Sequence, residues 1–140
     1  MADTGSITLF RMRDKTMNVA LEVKESPGKG RGVFASVPIP AQCCIERSPV
    51  IVIPEEQIVH IRRTELGNYY FRWGKDAAIA LGLGSLFNHS YRPNAVFYPN
   101  LKEGVVEFYS LHPISQGEEI TVNYNGDPAD QSRLWFNTID

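Results

Sequence analysis

Leu86-Phe87-Asn88-His89-Ser90-Tyr91-Arg92-Pro93-Asn94 is the stretch on which the reading of this chain turns. Two asparagines, a histidine and a serine fall within nine residues, and a proline interrupts them. The run before it, Ala77 to Phe87, is mostly apolar and reads as buried, a short helix weakened by Gly82 and Gly84. A chain that leaves a core and at once delivers amide and imidazole groups either serves a site or satisfies buried backbone. Asparagine also favours turns by bonding to nearby backbone, so a purely structural turn is the competing reading.

Downstream, Ala95 to Tyr98 and Val105 to Tyr109 read as a hairpin with a loop around Asn100 to Gly104. His112-Pro113 breaks the run, and Gly117-Glu118-Glu119 turns into the alternating strand Ile120-Thr121-Val122-Asn123-Tyr124. The tail is polar until Leu134-Trp135-Phe136. Upstream, residues 1–18 form a polar lead-in, and Val19, Leu21 and Val23 alternate as a strand. Ser26-Pro27-Gly28-Lys29-Gly30-Arg31-Gly32 follows, then the strand Val33-Phe34-Ala35. Cys43 to Glu46 and Val50 to Ile53 read as short strands around a Ser48-Pro49 turn. Pro54-Glu55-Glu56 opens a helix to about Leu66, ended by Gly67, with acidic residues in its first turn. Tyr69-Tyr70-Phe71-Arg72-Trp73 is dense in aromatics and stops at Gly74. Many short strands and little helix make the chain mainly β.

The 140 residues suggest one domain with a real core, and 43% apolar with 21% charged residues is ordinary for a globular protein. A net charge of -2 argues against direct nucleic-acid binding by bulk electrostatics. The charge is uneven: residues 76–140 hold three Lys/Arg against eight Asp/Glu, a surface suited to a cationic partner or simply solvated. Cys43 and Cys44 are adjacent, and no Cys/His spacing makes a zinc site, so no metal is expected and a reducing, intracellular setting is. No signal peptide or membrane span is expected.

The glycine-rich loop lets backbone approach a ligand closely. It is not a P-loop, because no Gly-Lys-Ser/Thr opens a helix, and a plain hairpin turn is its bland reading. Most tyrosines suit core aromatics with one wet edge, but Tyr124 ends a strand beside Asn125-Gly126, where its hydroxyl could face a site. Taken together, three stretches resemble the SET-domain protein lysine methyltransferases. Gly28-Lys29-Gly30-Arg31-Gly32-Val33-Phe34-Ala35 is similar to the family's first motif. Asn88-His89-Ser90 with Pro93-Asn94 is similar to the central motif, and Gly117-Glu118-Glu119-Ile120-Thr121 with Tyr124 to the last. The likeness runs from about Leu21 to Gly126, in a short form similar to minimal SET proteins, viral ones included.

The resemblance implies a fold of small curved β-sheets with a C-terminal pseudoknot and few short helices. It implies a single SET domain over 1–140, with a core of about 19–126 and a segment 127–140 that completes the cofactor pocket. S-adenosylmethionine would lie against Gly28, Lys29, Gly30 and Arg31, with Asn88, His89, Tyr124 and Trp135 (or Phe136) as further walls. A substrate lysine would enter from the opposite face, past Tyr69, Phe97 and Val122. Tyr124 and Tyr69 would be the catalytic tyrosines. The expected substrate is a lysine in a basic tail, a histone above all, which places the protein in the nucleus if it is eukaryotic or delivered to a eukaryotic host, and otherwise in the cytoplasm. Neither Phe97 nor Val122 carries a hydroxyl, so di- or trimethylation is expected.

Where many relatives have Cys after Asn-His-Ser this chain has Tyr91, and no cysteine cluster follows Tyr124. Ser85 stands where many relatives have Arg. A pocket this small could also be completed by a second copy, as a homodimer. The alternative from another class is a catalytically silent SET module that binds a peptide or protein partner.

Overall fold

The computed structural model describes residues 20–135. The lead-in at 1–18, Val19 and Phe136 lie outside the described residues. Nine strands follow one another: β1 Leu21–Ser26, β2 Gly30–Ala35, β3 Cys44–Ile53, β4 Phe71–Trp73, β5 Asp76–Ala80, β6 Asn88–His89, β7 Ala95–Asn100, β8 Val105–Ser110 and β9 Glu119–Val122. They form two sheets, a four-stranded one in the order β1-β2-β9-β6 and a five-stranded one in the order β4-β5-β3-β8-β7. No helix among the described residues is long and apolar enough to cross a membrane.

The larger sheet holds most of the corrections to the sequence reading. β3 is one continuous ten-residue strand, not two strands around a Ser48-Pro49 turn. Its first half pairs with β8 and its second half, Val50 to Ile53, with β5. Pro49 sits at the changeover, where its carbonyl accepts from the Leu81 N–H just past the end of β5. The N–H that proline lacks is therefore not needed by the ladder. Ala77 to Phe87 is not a helix either. It is most of β5, then a 3-10 turn at Gly84–Leu86, ending at Phe87 just before β6. The alanines that favour a helix in isolation are small enough here to be fully buried at Ala77 and Ala78. Close packing also explains Gly84, where an added Cβ would meet Ser48 Oγ at 2.5 Å and Ala80 Cβ at 2.9 Å.

Helix is scarce. The stretch expected to run from Pro54 to Leu66 breaks into a 3-10 turn at Glu55–Gln57, one α-turn (α1, Ile58–Ile61) and a second 3-10 turn at Glu65–Asn68. Thr64 interrupts it, because its hydroxyl accepts from the Leu66 N–H and restarts the chain as a new cap. Gly67 lies inside that last turn rather than ending a helix.

The two sheets share a core built on Phe108, which is fully buried. Phe87 stacks on it at 4.5 Å between centroids, and Phe71 and Phe97 meet it at 6.4 and 6.2 Å. Phe71 and Phe97 themselves meet edge to face at 5.1 Å. Ring pairs in such geometries add about 0.5–1.5 kcal/mol each beyond their buried area.

The connection that matters for the site is β6 to β9. They pair in parallel, Asn88 with Thr121 and His89 with Val122, although β7 and β8 lie between them in the chain. The chain thus leaves through the β7–β8 hairpin and returns to lie parallel beside the segment it left. Asn94 fastens the crossing. Its Nδ2 donates to the Glu119 carbonyl at 2.8 Å, and its Oδ1 accepts from the Thr121 N–H at 2.9 Å.

Candidate active site

Three chain segments meet at the crossing. The first is the hairpin turn between β1 and β2, closed by a hydrogen bond from the Lys29 N–H to the Ser26 carbonyl at 2.9 Å. The second is β6, and the third is the end of β9 with the residues after it. The turn and β6 touch directly. Lys29 Nζ donates to the His89 carbonyl at 3.3 Å, and Asn88 Nδ2 donates to the Arg31 carbonyl at 2.8 Å. The loop at Gly28, Lys29, Gly30 and Arg31 and the pair Asn88 and His89, far apart in sequence, therefore form one wall.

Tyr124 joins that wall from the other side. Its N–H donates to His89 Nδ1 at 3.0 Å, and its hydroxyl donates to the Phe87 carbonyl at 2.7 Å. Burial, then the nearby Tyr69 and Glu119, push the phenol up to about 12. At neutral pH the hydroxyl keeps its proton and points it at Phe87, which leaves the oxygen as an acceptor.

Tyr69 follows the 3-10 turn at Glu65–Asn68, is 39% exposed and lies near enough to Tyr124 to influence its titration. Trp135 stacks near-parallel to Tyr124, 17° between planes and 6.1 Å between centroids, and its Nε1 donates to Asn68 Oδ1 at 3.3 Å. The tail that delivers Trp135 is tied down by its own chain. Tyr91 donates its hydroxyl to the Ser132 carbonyl at 3.0 Å, Asn125 Nδ2 donates to the same carbonyl at 2.9 Å, and Asn123 Nδ2 donates to the Asp130 carbonyl at 2.6 Å. Tyr91 thus anchors the tail.

Of the other expected residues, Phe97 is half-buried against Phe71, on the core side of the site. Val122 is 2% exposed and belongs to the core, paired with His89. Ser85 turns its hydroxyl to the Ala80 carbonyl at 2.8 Å. The cysteines are free, and burial pushes the Cys44 thiol up to about 11, which removes it as a nucleophile at neutral pH. No group of acidic, histidine and cysteine side chains that could hold a metal occurs among the described residues.

Sequence reasoning missed three contributors. The Phe87 carbonyl is a backbone group and carries no signal in a residue pattern. Ser26 and Glu119 lie in the quoted motifs, but their meeting depends on the placement of β9: Ser26 Oγ donates to Glu119 Oε1 at 2.8 Å across the β1-β2-β9 sheet.

A small β domain, with a glycine-rich turn and a partly buried tyrosine converging where β6 pairs with β9, defines the class. The chain belongs to the SET-domain family, whose profile matches residues 30–125. A Schizosaccharomyces pombe protein named histone-lysine N-methyltransferase, H3 lysine-37 specific, is 39% identical over 127 residues, covering 89% of this chain and 82% of the relative. The crystal structure of a Plasmodium falciparum candidate histone methyltransferase superposes with a TM-score of 0.65 at 27% identity, over 76% of this chain and 94% of that one. Chaetomium thermophilum Polycomb Repressive Complex 2 bound to GSK126 superposes with a TM-score of 0.66 over 83% of this chain and 19% of that one. At 17% identity this last likeness shows the fold alone.

Proposed function

We propose that this protein is an S-adenosylmethionine-dependent protein lysine N-methyltransferase acting on a lysine of a basic histone tail. The observation that carries the reading is Tyr124, whose hydroxyl proton is committed to Phe87 beside the joined Asn88–Arg31 wall.

The residues present suit the cofactor. Lys29 and Arg31 bring positive charge for a carboxylate, while Asn88 and the backbone of the turn offer polar contacts at short range. Tyr124 and Trp135 offer aromatic faces. Bound S-adenosylmethionine supplies an electrophilic methyl group. The protein's own part is to present a neutral amine in line with it. A lysine amine free in water titrates at about 10.4, and an aromatic, poorly hydrated passage near Tyr69 and Tyr124 disfavours the ammonium form. Tyr124 cannot serve as a phenolate base at neutral pH, since burial holds its proton. Its oxygen accepts instead, and so orients the amine N–H. Orientation of this kind supplies most of the acceleration in a one-step displacement.

Substrate choice follows the relative: histone H3 is the first protein to try, with lysine-37 the first site, and a nuclear location goes with it. We place the catalytic unit within about 19–126, with 127–140 completing the pocket. The deciding experiment is incubation with labelled cofactor and a histone panel, followed by mass spectrometry of the modified residue. Incorporation into a lysine is expected. Cofactor binding without transfer to any histone or lysate protein would defeat the reading.

A further inference from the structure

We infer that Glu119 is a positioning residue for the cofactor wall: its carboxylate sets the orientation of the Asn88 amide and couples it to the glycine-rich turn. The inference rests on the methyltransferase reading above. Two segments distant in sequence converge on this one carboxylate. Oε1 accepts from Ser26 Oγ at 2.8 Å, at the end of β1 where the turn begins. Oε2 accepts from Asn88 Nδ2 at 2.7 Å. The second hydrogen of the same Nδ2 goes to the Arg31 carbonyl at 2.8 Å.

The consequence for Asn88 is specific. An amide has two donor hydrogens and one acceptor oxygen. Both hydrogens are taken, one by a charged acceptor, so the amide cannot flip and its Oδ1 is the group left to serve a ligand. A charge-assisted hydrogen bond is about twice as strong as a neutral one, so Glu119 dominates the choice of orientation. Gly32 makes the approach possible. A Cβ there would lie 2.3 Å from Glu119 Oε2 and 2.9 Å from Asn88 Nδ2. The second glutamate, Glu118, serves elsewhere: it accepts from Asn94 Nδ2 at 3.1 Å and from the Ser115 N–H at 2.9 Å.

A purely structural role would show as lost stability with unchanged cofactor handling, and the test separates the two. Glu119→Ala frees the Asn88 amide, and should raise KM for S-adenosylmethionine by about tenfold with kcat and peptide KM within about threefold. Glu119→Gln should recover most of the loss. Its amide can turn so that Oε1 accepts from Asn88 while Nε2 donates to Ser26 Oγ, which accepts as well as donates. Ser26→Ala, which leaves the Asn88 bond in place, should give a smaller shift in the same direction and covers the case in which Glu119→Ala fails to fold. Asn88→Asp sets two carboxylates against each other and should abolish cofactor binding by calorimetry. A Glu119→Ala protein with a lowered Tm but unchanged cofactor KM would overturn the inference, as would a Glu119→Gln protein no better than Glu119→Ala, or a Ser26→Ala protein with unchanged cofactor KM. Any of these in an active wild-type background leaves the methyltransferase reading standing. A wild-type protein that binds no cofactor overturns both.

Discussion

The backbone N–H of Tyr124 donates to Nδ1 of His89 at 3.0 Å, so one side chain of the central motif fixes the main chain of the residue whose phenol we propose to be catalytic. A ring nitrogen that accepts carries no proton, so His89 is neutral with its hydrogen on Nε2. His89→Ala removes the acceptor from a part-buried N–H and should cost about 1–3 kcal/mol in urea unfolding. His89→Asn offers a carbonyl oxygen near the same place and should cost less. Equal losses for the two variants would separate the histidine's role from this bond.

Tyr124→Phe should lower kcat by about a hundredfold to a thousandfold while cofactor affinity changes little, because the role proposed for the hydroxyl is at the transferring centre. Stability should fall by only about 0.5–1.5 kcal/mol, the worth of the bond to Phe87. Single-turnover rates with calorimetry check both. A near-normal rate would return Tyr124 to the role of a core aromatic.

The same phenol makes a prediction in alkali. Its folded value is raised from 10.0 to about 12, so the folded state holds the proton more tightly than the unfolded chain. The stability it contributes is whole below pH 10 and is lost as pH rises from there through about 12. Tyr109 is raised too, by burial and then by Glu107, so the late-titrating phenols are more than one. Ultraviolet titration of phenolate should show one fewer late phenol in Tyr124→Phe than in the wild type.

Deleting residues 130–140 takes away the Ser132 and Asp130 carbonyls that hold Tyr91, Asn125 and Asn123, and Trp135 with them. Cofactor binding should weaken by calorimetry, and chelators should leave the full-length protein's activity unchanged. Activity lost to a chelator and restored by zinc would contradict a tail that needs no metal.

Phe97 meets Phe71 edge to face and carries no hydroxyl to hold a blocking water, and Val122 is equally apolar. A mass-spectrometric time course under excess cofactor should therefore run on to two or three methyl groups, and Phe97→Tyr should shift the product toward one. A wild-type course that stops cleanly at one methyl would reject this.

The motifs and the β7–β8 hairpin were legible because their signals are local: glycines at a turn, alternation in a strand, Asn-His-Ser leaving an apolar run. What was not legible depended on partners. Ala77 and Ala78 look helical until they pair between β3 and β4 in one sheet, where their small side chains are fully buried. Pro49 looks like a turn until β3 changes neighbours beside it. Glu119 lies in a motif, but nothing local names its partner, because Asn88 stands 31 positions away and arrives only through the pairing of β6 with β9. Tyr124 carries a motif signal, yet the carbonyl that takes its proton belongs to Phe87, which reads only as part of a buried apolar run.

The parallel pairing of β6 with β9 also sets the order in which the molecule can become an enzyme. Contacts between residues far apart in sequence form late, because loop closure must be met before they stabilise anything. His89 and Tyr124 are 35 positions apart, with the β7–β8 hairpin in between. The hairpin is local and is free to form early, while Asn88 and His89 wait for β9 to pair with them. Asn88, His89 and Tyr124 therefore come together in one event. On the proposed site, a chain that has gained most of its sheet but not this pairing should be inactive, and recovery of activity during refolding should time the pairing itself.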